Sequence, residues 1–195
     1  RYYYKINYTL YNERRIYMRL ALVCGSVREE SQTKKLMRQI QSRFADKDIE
    51  LDFIDFRESP LPIFDGSMKQ KMVAHTFIER INAADALILA SPEYHNSFSG
   101  ALKNAFDFIT NEQLMDKPIG LIATAGGGKG GINCLNGMRI FLRGLYALVL
   151  ADQVVLDGND FDKDGICRDE AVMKRVDDLV NKVIHFSNML QATNI

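Results

Sequence analysis

The chain has 195 residues, balances 25 basic against 25 acidic side chains, and is 47% hydrophobic. That length suits a single domain with a sizeable core. A formal net charge of zero supplies no overall field for nucleic acid or an anionic membrane surface, and no apolar run is long enough to cross a bilayer. Cys24, Cys134 and Cys167 are odd in number and widely spaced, which argues against a disulfide framework or structural zinc and for a reducing, cytoplasmic setting. His75, His95 and His185 are equally dispersed, so no metal site is expected.

The opening stretch RYYYKINYTLYNERRIY, residues 1–17, lacks the apolar core and small-residue cleavage site of a secretory signal. It reads as an extension outside the fold, with an added arm or edge strand as the alternative because tyrosine favours extended backbone. From Met18 to residue 195 the pattern is that of one domain. Strand patterns cover Arg19–Cys24, Glu50–Asp55, Ala86–Ala90, Ile119–Ala123 and part of Ala147–Val155. Helical spacing covers Thr33–Phe44, Met68–Ala83, Gly100–Ile109, Ile132–Leu145 and Glu170–Leu190, and ESPLPIFDG is a proline-broken loop. Strict alternation of apolar strands with amphipathic helices predicts an α/β fold, a parallel sheet covered on both faces. Ligands of such sheets sit beyond the carboxyl ends of the strands, where the strand order switches.

Three loops therefore carry the chemistry. The first, CGSVREESQTKK, brings Ser26, Arg28, Ser31 and Thr33 together at a helix start, where backbone amides favour an anion. Lys34 and Lys35 fall in the first helical turn and oppose its dipole, which a bound phosphate would offset. An ordinary capped loop, with Glu29 and Glu30 balancing the lysines, fits the spacing equally well. The second, SPEYHNSFSGALKNAFDF, offers the flat face of Tyr94 between the polar edges of Glu93 and Asn96, suiting a planar heterocycle or simply a surface turn. In the third, TAGGGKGG, Gly126, Gly128 and Gly131 satisfy G-x-G-x-x-G. Yet that fingerprint belongs after the first strand of its fold, and Gly130 stands where the Walker pattern needs a hydroxyl. The preferred reading has this loop touch a ring with bare backbone while the first loop holds phosphate. DFDKDGICRDEA opens like a calcium loop but has Ala171 at the closing position, so it reads as structural.

GSVREESQTKKL, SPEYHNSFSGALKNAFDF and KPIGLIATAGGGKGGINCLNGMR together resemble the NADPH-dependent FMN reductases, the group that includes quinone, chromate and azo-dye reductases. The resemblance implies a flavodoxin-like three-layer sandwich with a five-stranded parallel sheet in the order 2-1-3-4-5. It implies FMN as cofactor and NADPH or NADH as co-substrate. Ser26, Arg28, Ser31, Gln32 and Thr33 would surround the FMN phosphate. Pro92, Glu93, Tyr94, His95 and Asn96 would line the isoalloxazine, with Ala125, Gly126 and Gly127 on its other edge. Ser99 stands where relatives frequently have proline, a departure expected to loosen that loop. The implied reaction is a two-electron, ping-pong reduction of a small-molecule acceptor by a homodimer or homotetramer, with no side chain assigned as obligatory acid or base. A non-enzymatic FMN-binding electron carrier or redox-responsive module is the alternative.

Overall fold

The computed structural model describes residues 18–126 and 130–193. The reading of residues 1–17 as an extension lies outside these described residues, as does Gly127. Five strands, β1 (Met18–Cys24), β2 (Ile49–Asp55), β3 (Ala86–Pro92), β4 (Pro118–Ala125) and β5 (Leu148–Asp157), pair in parallel in the order β2-β1-β3-β4-β5. The expected flavodoxin-like order is therefore the observed one.

Period-two alternation splits the strands between two cores. Leu20, Leu22, Ile88 and Ile122 face α1 (Gln32–Arg43) and α7 (Glu170–Thr193), where Leu36, Ile40, Val176 and Val180 are buried. Ala21, Val23, Leu87, Leu89 and Leu121 face the opposite layer, which contributes Phe77, Ile81, Phe106 and Met138. Every residue of β3 and β4 is buried, as a central parallel strand covered on both faces requires. Each Leu or Ile withdrawn from water there contributes about 1.5–3 kcal/mol, so the sheet centre dominates stability. Gly120 is a point of close approach, since a Cβ would lie 2.8 Å from Ile88 Cδ1 and 2.9 Å from Val183 Cγ2.

The helices depart from expectation in two places. The span 68–83 divides at Ala74 into α2 (Met68–Val73) and α3 (His75–Ala83). Phe77 and Ile81 are buried as their spacing predicts, but Val73 is exposed and α2 buries no residue. After α4 (Gly100–Asp107), a single turn, α5 (Asn111–Leu114), is closed by a capping box between Thr110 and Gln113. The remaining helix, α6 (Ile132–Gly144), connects β4 to β5.

Opposite Gly120, β5 bulges: the register moves two steps along β4, from Ile119 to Leu121, against four along β5, from Val149 to Gln153. Arg139 of α6 serves the displaced backbone, donating to the carbonyls of Leu150 at 2.7 Å and Ala151 at 3.1 Å. With the bulge absorbed, Ala125 and Asp157 end side by side.

Candidate active site

A cleft of about 690 Å³ lies beyond the carboxyl ends of the neighbouring strands β1, β3 and β4. Ser26, Arg28, Ser31, Gln32, Thr33, Pro92, Glu93, Tyr94, Ala125 and Gly126 all line it. Ten of the expected site residues are thus brought together from three separate loops. His95 and Asn96 are not, standing exposed on a turn outside the lining. A second cleft of about 730 Å³ between β5 and α7 has the buried Val154 and Leu179 among its lining and exposed polar side chains around them, with Lys182 paired to Asp152 at 2.6 Å. It lies on the flank of the sheet, away from the loops that the topology gathers.

The first loop is built for an anion. Ser26, Ser31 and Thr33 are buried although polar. Ser31 caps α1, its hydroxyl accepting from the Lys34 amide at 3.0 Å, while Ser26 Oγ accepts from the Arg28 amide at 3.4 Å. The amides of Gln32 and Thr33 find no acceptor among the described residues. Thr33 Oγ1 and Thr124 Oγ1 share a hydrogen bond of 2.6 Å that ties this loop to the end of β4. Two open amides at a helix start, buried hydroxyls and the Arg28 guanidinium, which has no ion pair among the described residues, fit a phosphate tail.

The two lysines need no phosphate. Lys34 Nζ lies 2.6 Å from Asp55 Oδ2 and 2.8 Å from Glu58 Oε1, and Lys35 pairs with Glu30 at 2.7 Å. Asp55 at the end of β2 is almost wholly buried, and its hydrogen bond, followed by that of Glu58, raises the Lys34 pKa above the ordinary lysine value.

The second loop leaves β3 with the Glu93 amide donating to the Thr124 carbonyl at 2.8 Å. Tyr94 and Ser97 then exchange backbone hydrogen bonds of 2.8 and 3.0 Å around His95 and Asn96, whose φ values are +50° and +62°. Positive φ at both central positions is the mark of a type I′ turn, which presents Tyr94, 37% exposed, at the cleft. The histidine stores strain there, whereas asparagine adopts that backbone readily. Ser99 tightens the base of this loop rather than loosening it. Its hydroxyl bonds the Gly25 carbonyl and caps α4 at the Leu102 amide, 3.1 Å, while its amide donates to Ser91 Oγ at 2.9 Å. Proline could make neither the cap nor the amide bond.

The third loop meets the second through Glu93. Gly131, with φ +98°, starts α6 and has no side chain to cap it. The Glu93 carboxylate does so instead, Oε2 accepting from the Cys134 amide at 3.1 Å. A Cβ on Gly130 would lie 2.6 Å from Glu93 Oε1, and one on Gly131 2.5 Å from Val155 Cγ1. These two glycines thus serve close packing and capping. The anion position at the start of α6 is filled by the protein's own carboxylate, Glu93, which also lines the cleft.

Sequence reading missed the fourth wall. Asp162, Lys163 and Gly165 line the cleft, as do Glu30, Lys35 and Thr124. DFDKDG forms a short hairpin, Phe161 bridging Cys167 and Gly165 (φ +75°) donating to the Asp162 carbonyl at 2.8 Å. Asp162 Oδ1 accepts from the amides of Asp164 and Ile166, both at 2.9 Å, and its other oxygen pairs with Arg168. The aspartate that suggested a calcium loop is thus a turn-builder, and D-x-D-G was a legible turn signal. The thiols stay out of the chemistry: burial pushes Cys24 up to about 11 and Cys134 up to about 12.

A sequence model of the NADPH-dependent FMN reductase family matches residues 18–162. The chain belongs to that family. It is therefore an NAD(P)H-dependent oxidoreductase that uses FMN. It is 38% identical over 143 residues to an NADPH azoreductase of Bacillus sp. (strain OY1-2), an alignment covering 72% of this chain and 78% of that one. An FMN-dependent NADPH-azoreductase of Staphylococcus aureus (strain USA300) is 33% identical over 183 residues, covering 88% and 96% of the two chains. Among solved structures, the flavoenzyme NAD(P)H:(acceptor) oxidoreductase FerB of Paracoccus denitrificans superposes with a TM-score of 0.70 at 23% identity, over 90% of this chain and 98% of that one. That likeness speaks for the fold.

Proposed function

We propose that this chain is an FMN-dependent NADPH reductase of small aromatic acceptors, azo compounds foremost and quinones second, working by a ping-pong route. The observation that carries the reading is the convergence of the Ser26–Thr33 loop, Pro92–Tyr94 and Ala125–Gly126 in one cleft above β1, β3 and β4. The relatives named as azoreductases support the acceptor class. FMN, when bound, supplies the two-electron chemistry, taking hydride from the nicotinamide and releasing electrons to the acceptor at the same place. The protein's part is position and polarity. Ser26, Arg28, Ser31, Gln32 and Thr33 hold the phosphate tail through hydroxyls, guanidinium and open amides. Pro92 and Tyr94 present an aromatic face to the ring, the strained His95–Asn96 turn holding Tyr94 at the cleft, and Ala125 and Gly126 lie along the ring's other edge.

The same reading makes residues 18–195 one FMN-binding domain, with residues 1–17 outside it. Buried free thiols at Cys24, Cys134 and Cys167 support a cytoplasmic setting. Exposed apolar side chains on and before α2, Ile63, Met68 and Met72, support a homodimer or homotetramer.

The test begins with the absorbance spectrum of purified protein reconstituted with FMN. NADPH should bleach the flavin band rapidly, and an azo dye or quinone should restore it. A flavin band that NADPH leaves intact would instead support an electron carrier or redox-responsive module. Arg28→Ala with Ser31→Ala should weaken FMN retention far more than Lys129→Ala, and the reverse order would overturn the loop assignment.

A further inference from the structure

The hairpin that closes the cleft's fourth wall has no part in the assignments above. Gln39 of α1 grips it from below, its Nε2 donating to the Cys167 carbonyl at 3.0 Å and its Oε1 accepting from the Cys167 amide at 3.1 Å. Gly165 rests on the Lys35 side chain so closely that a Cβ would lie 2.5 Å from Lys35 Cδ. Asp162 locks the turn from within. The hairpin is thus pinned over the start of α1, and Lys163 at its tip reaches the same cleft as Ser31 and Thr33.

The charges lining that cleft sort simply. Lys35 is neutralised by Glu30, Asp162 by Arg168, and Glu93 caps α6. Arg28 and Lys163 remain without an ion pair among the described residues. One comes from the loop after β1 and the other from the connection between β5 and α7. A phosphate monoester carries close to two negative charges at neutral pH, which one cation only half compensates.

We infer that Lys163 is a phosphate-binding residue that acts with Arg28 as a two-cation clamp on a phosphate monoester. The inference rests on the proposed function, which supplies two such groups, the tail of FMN and the 2′-phosphate of NADPH. The FMN tail is the favoured occupant, because Arg28 and Lys163 share the cleft with the open amides of Gln32 and Thr33.

The experiment titrates flavin-free protein with FMN and with riboflavin, following flavin fluorescence, for wild type, Lys163→Gln, Lys163→Arg and the remote surface control Lys47→Gln. Lys163→Gln should raise Kd for FMN about tenfold at low salt and leave riboflavin unchanged. The difference should shrink at high salt, because an exposed ammonium is screened. Lys163→Arg should bind FMN within about twofold of wild type, and Lys47→Gln should match wild type. Steady-state KM values for NADPH and NADH form the second arm. A rise confined to NADPH, with FMN affinity intact, would keep the clamp and assign it to the co-substrate. Lys163→Gln within twofold of wild type in both arms would overturn the inference alone. Wild-type protein that binds neither flavin would overturn the functional reading and the clamp together.

Discussion

Glu93 caps a helix that begins on another strand's loop, and removing that cap is a sharp test of how the ring-facing loops are held. Its carboxylate accepts from the Cys134 amide at 3.1 Å, in the first turn of α6, where Gly131 offers no cap. Glu93→Ala removes a charge-assisted hydrogen bond and leaves that amide without its acceptor, a loss of about 2 kcal/mol. A chain of this size melts roughly 2–4 °C lower per kcal/mol, so the variant should fall by about 4–8 °C. Glu93→Gln keeps an acceptor and loses only the charge at the helix start, about 0.5–1 kcal/mol. It should melt between the other two. Calorimetry on flavin-free protein keeps ligand binding out of the comparison. Gly130→Ala should mimic Glu93→Ala by displacing the carboxylate, whose Oε1 would lie 2.6 Å from the new Cβ. In a Glu93→Ala background it should cost less. Equal melting of the Ala and Gln variants, or both within a degree of wild type, would refute the capping role.

Three further outcomes follow from the same geometry. Gly131→Ala must place a Cβ 2.5 Å from Val155 Cγ1 at φ +98°, and should lower stability by about 3 kcal/mol in urea unfolding. Lys34→Ala strands the buried Asp55 carboxylate and should also cost about 3 kcal/mol at neutral pH. Because the folded Lys34 pKa is raised, its contribution is complete below the ordinary lysine value of 10.5 and fades as pH climbs through the raised one. The gap between wild type and Lys34→Ala, read as urea midpoints, should therefore close at strongly alkaline pH. Cys24, raised to about 11, is ionised to about one part in a thousand at pH 8, and Cys134 to less. Iodoacetamide at that pH should modify neither until the protein is unfolded, as read by peptide mass spectrometry.

The layered sheet was legible because the inner strands are short apolar runs, β2 alternates as a strand should, and nearly every helix carries its stripe. Val73 misled because it completes a helical stripe with Phe77 and Ile81 yet belongs to a turn that buries nothing. Asn111–Leu114 was too short for periodicity to register, although Thr110 and Gln113 spell a capping box. The phosphate loop was readable from local hydroxyls and a helix start. Three of its surroundings were not. Lys34 meets its partner Asp55 on another strand, Glu93 caps a helix begun some forty residues later, and Lys163 arrives from the far end of the chain. Each depends on tertiary neighbours that spacing along one segment does not encode. The I′ turn escaped notice because His95 and Asn96 occupy positions usually marked by glycine.

The bulge in β5 also protects an edge of the sheet. Among the described residues β5 is an outer strand, and an outer strand with regular spacing invites another chain to dock by strand addition. Here the run of donors and acceptors is broken at Leu150 to Asp152, with Arg139 already claiming two carbonyls and Lys182 holding Asp152 beside them. An incoming strand would find matching partners along half the length of β5 and lose step at the interruption, so this edge of the sheet is guarded against extension by a stray strand.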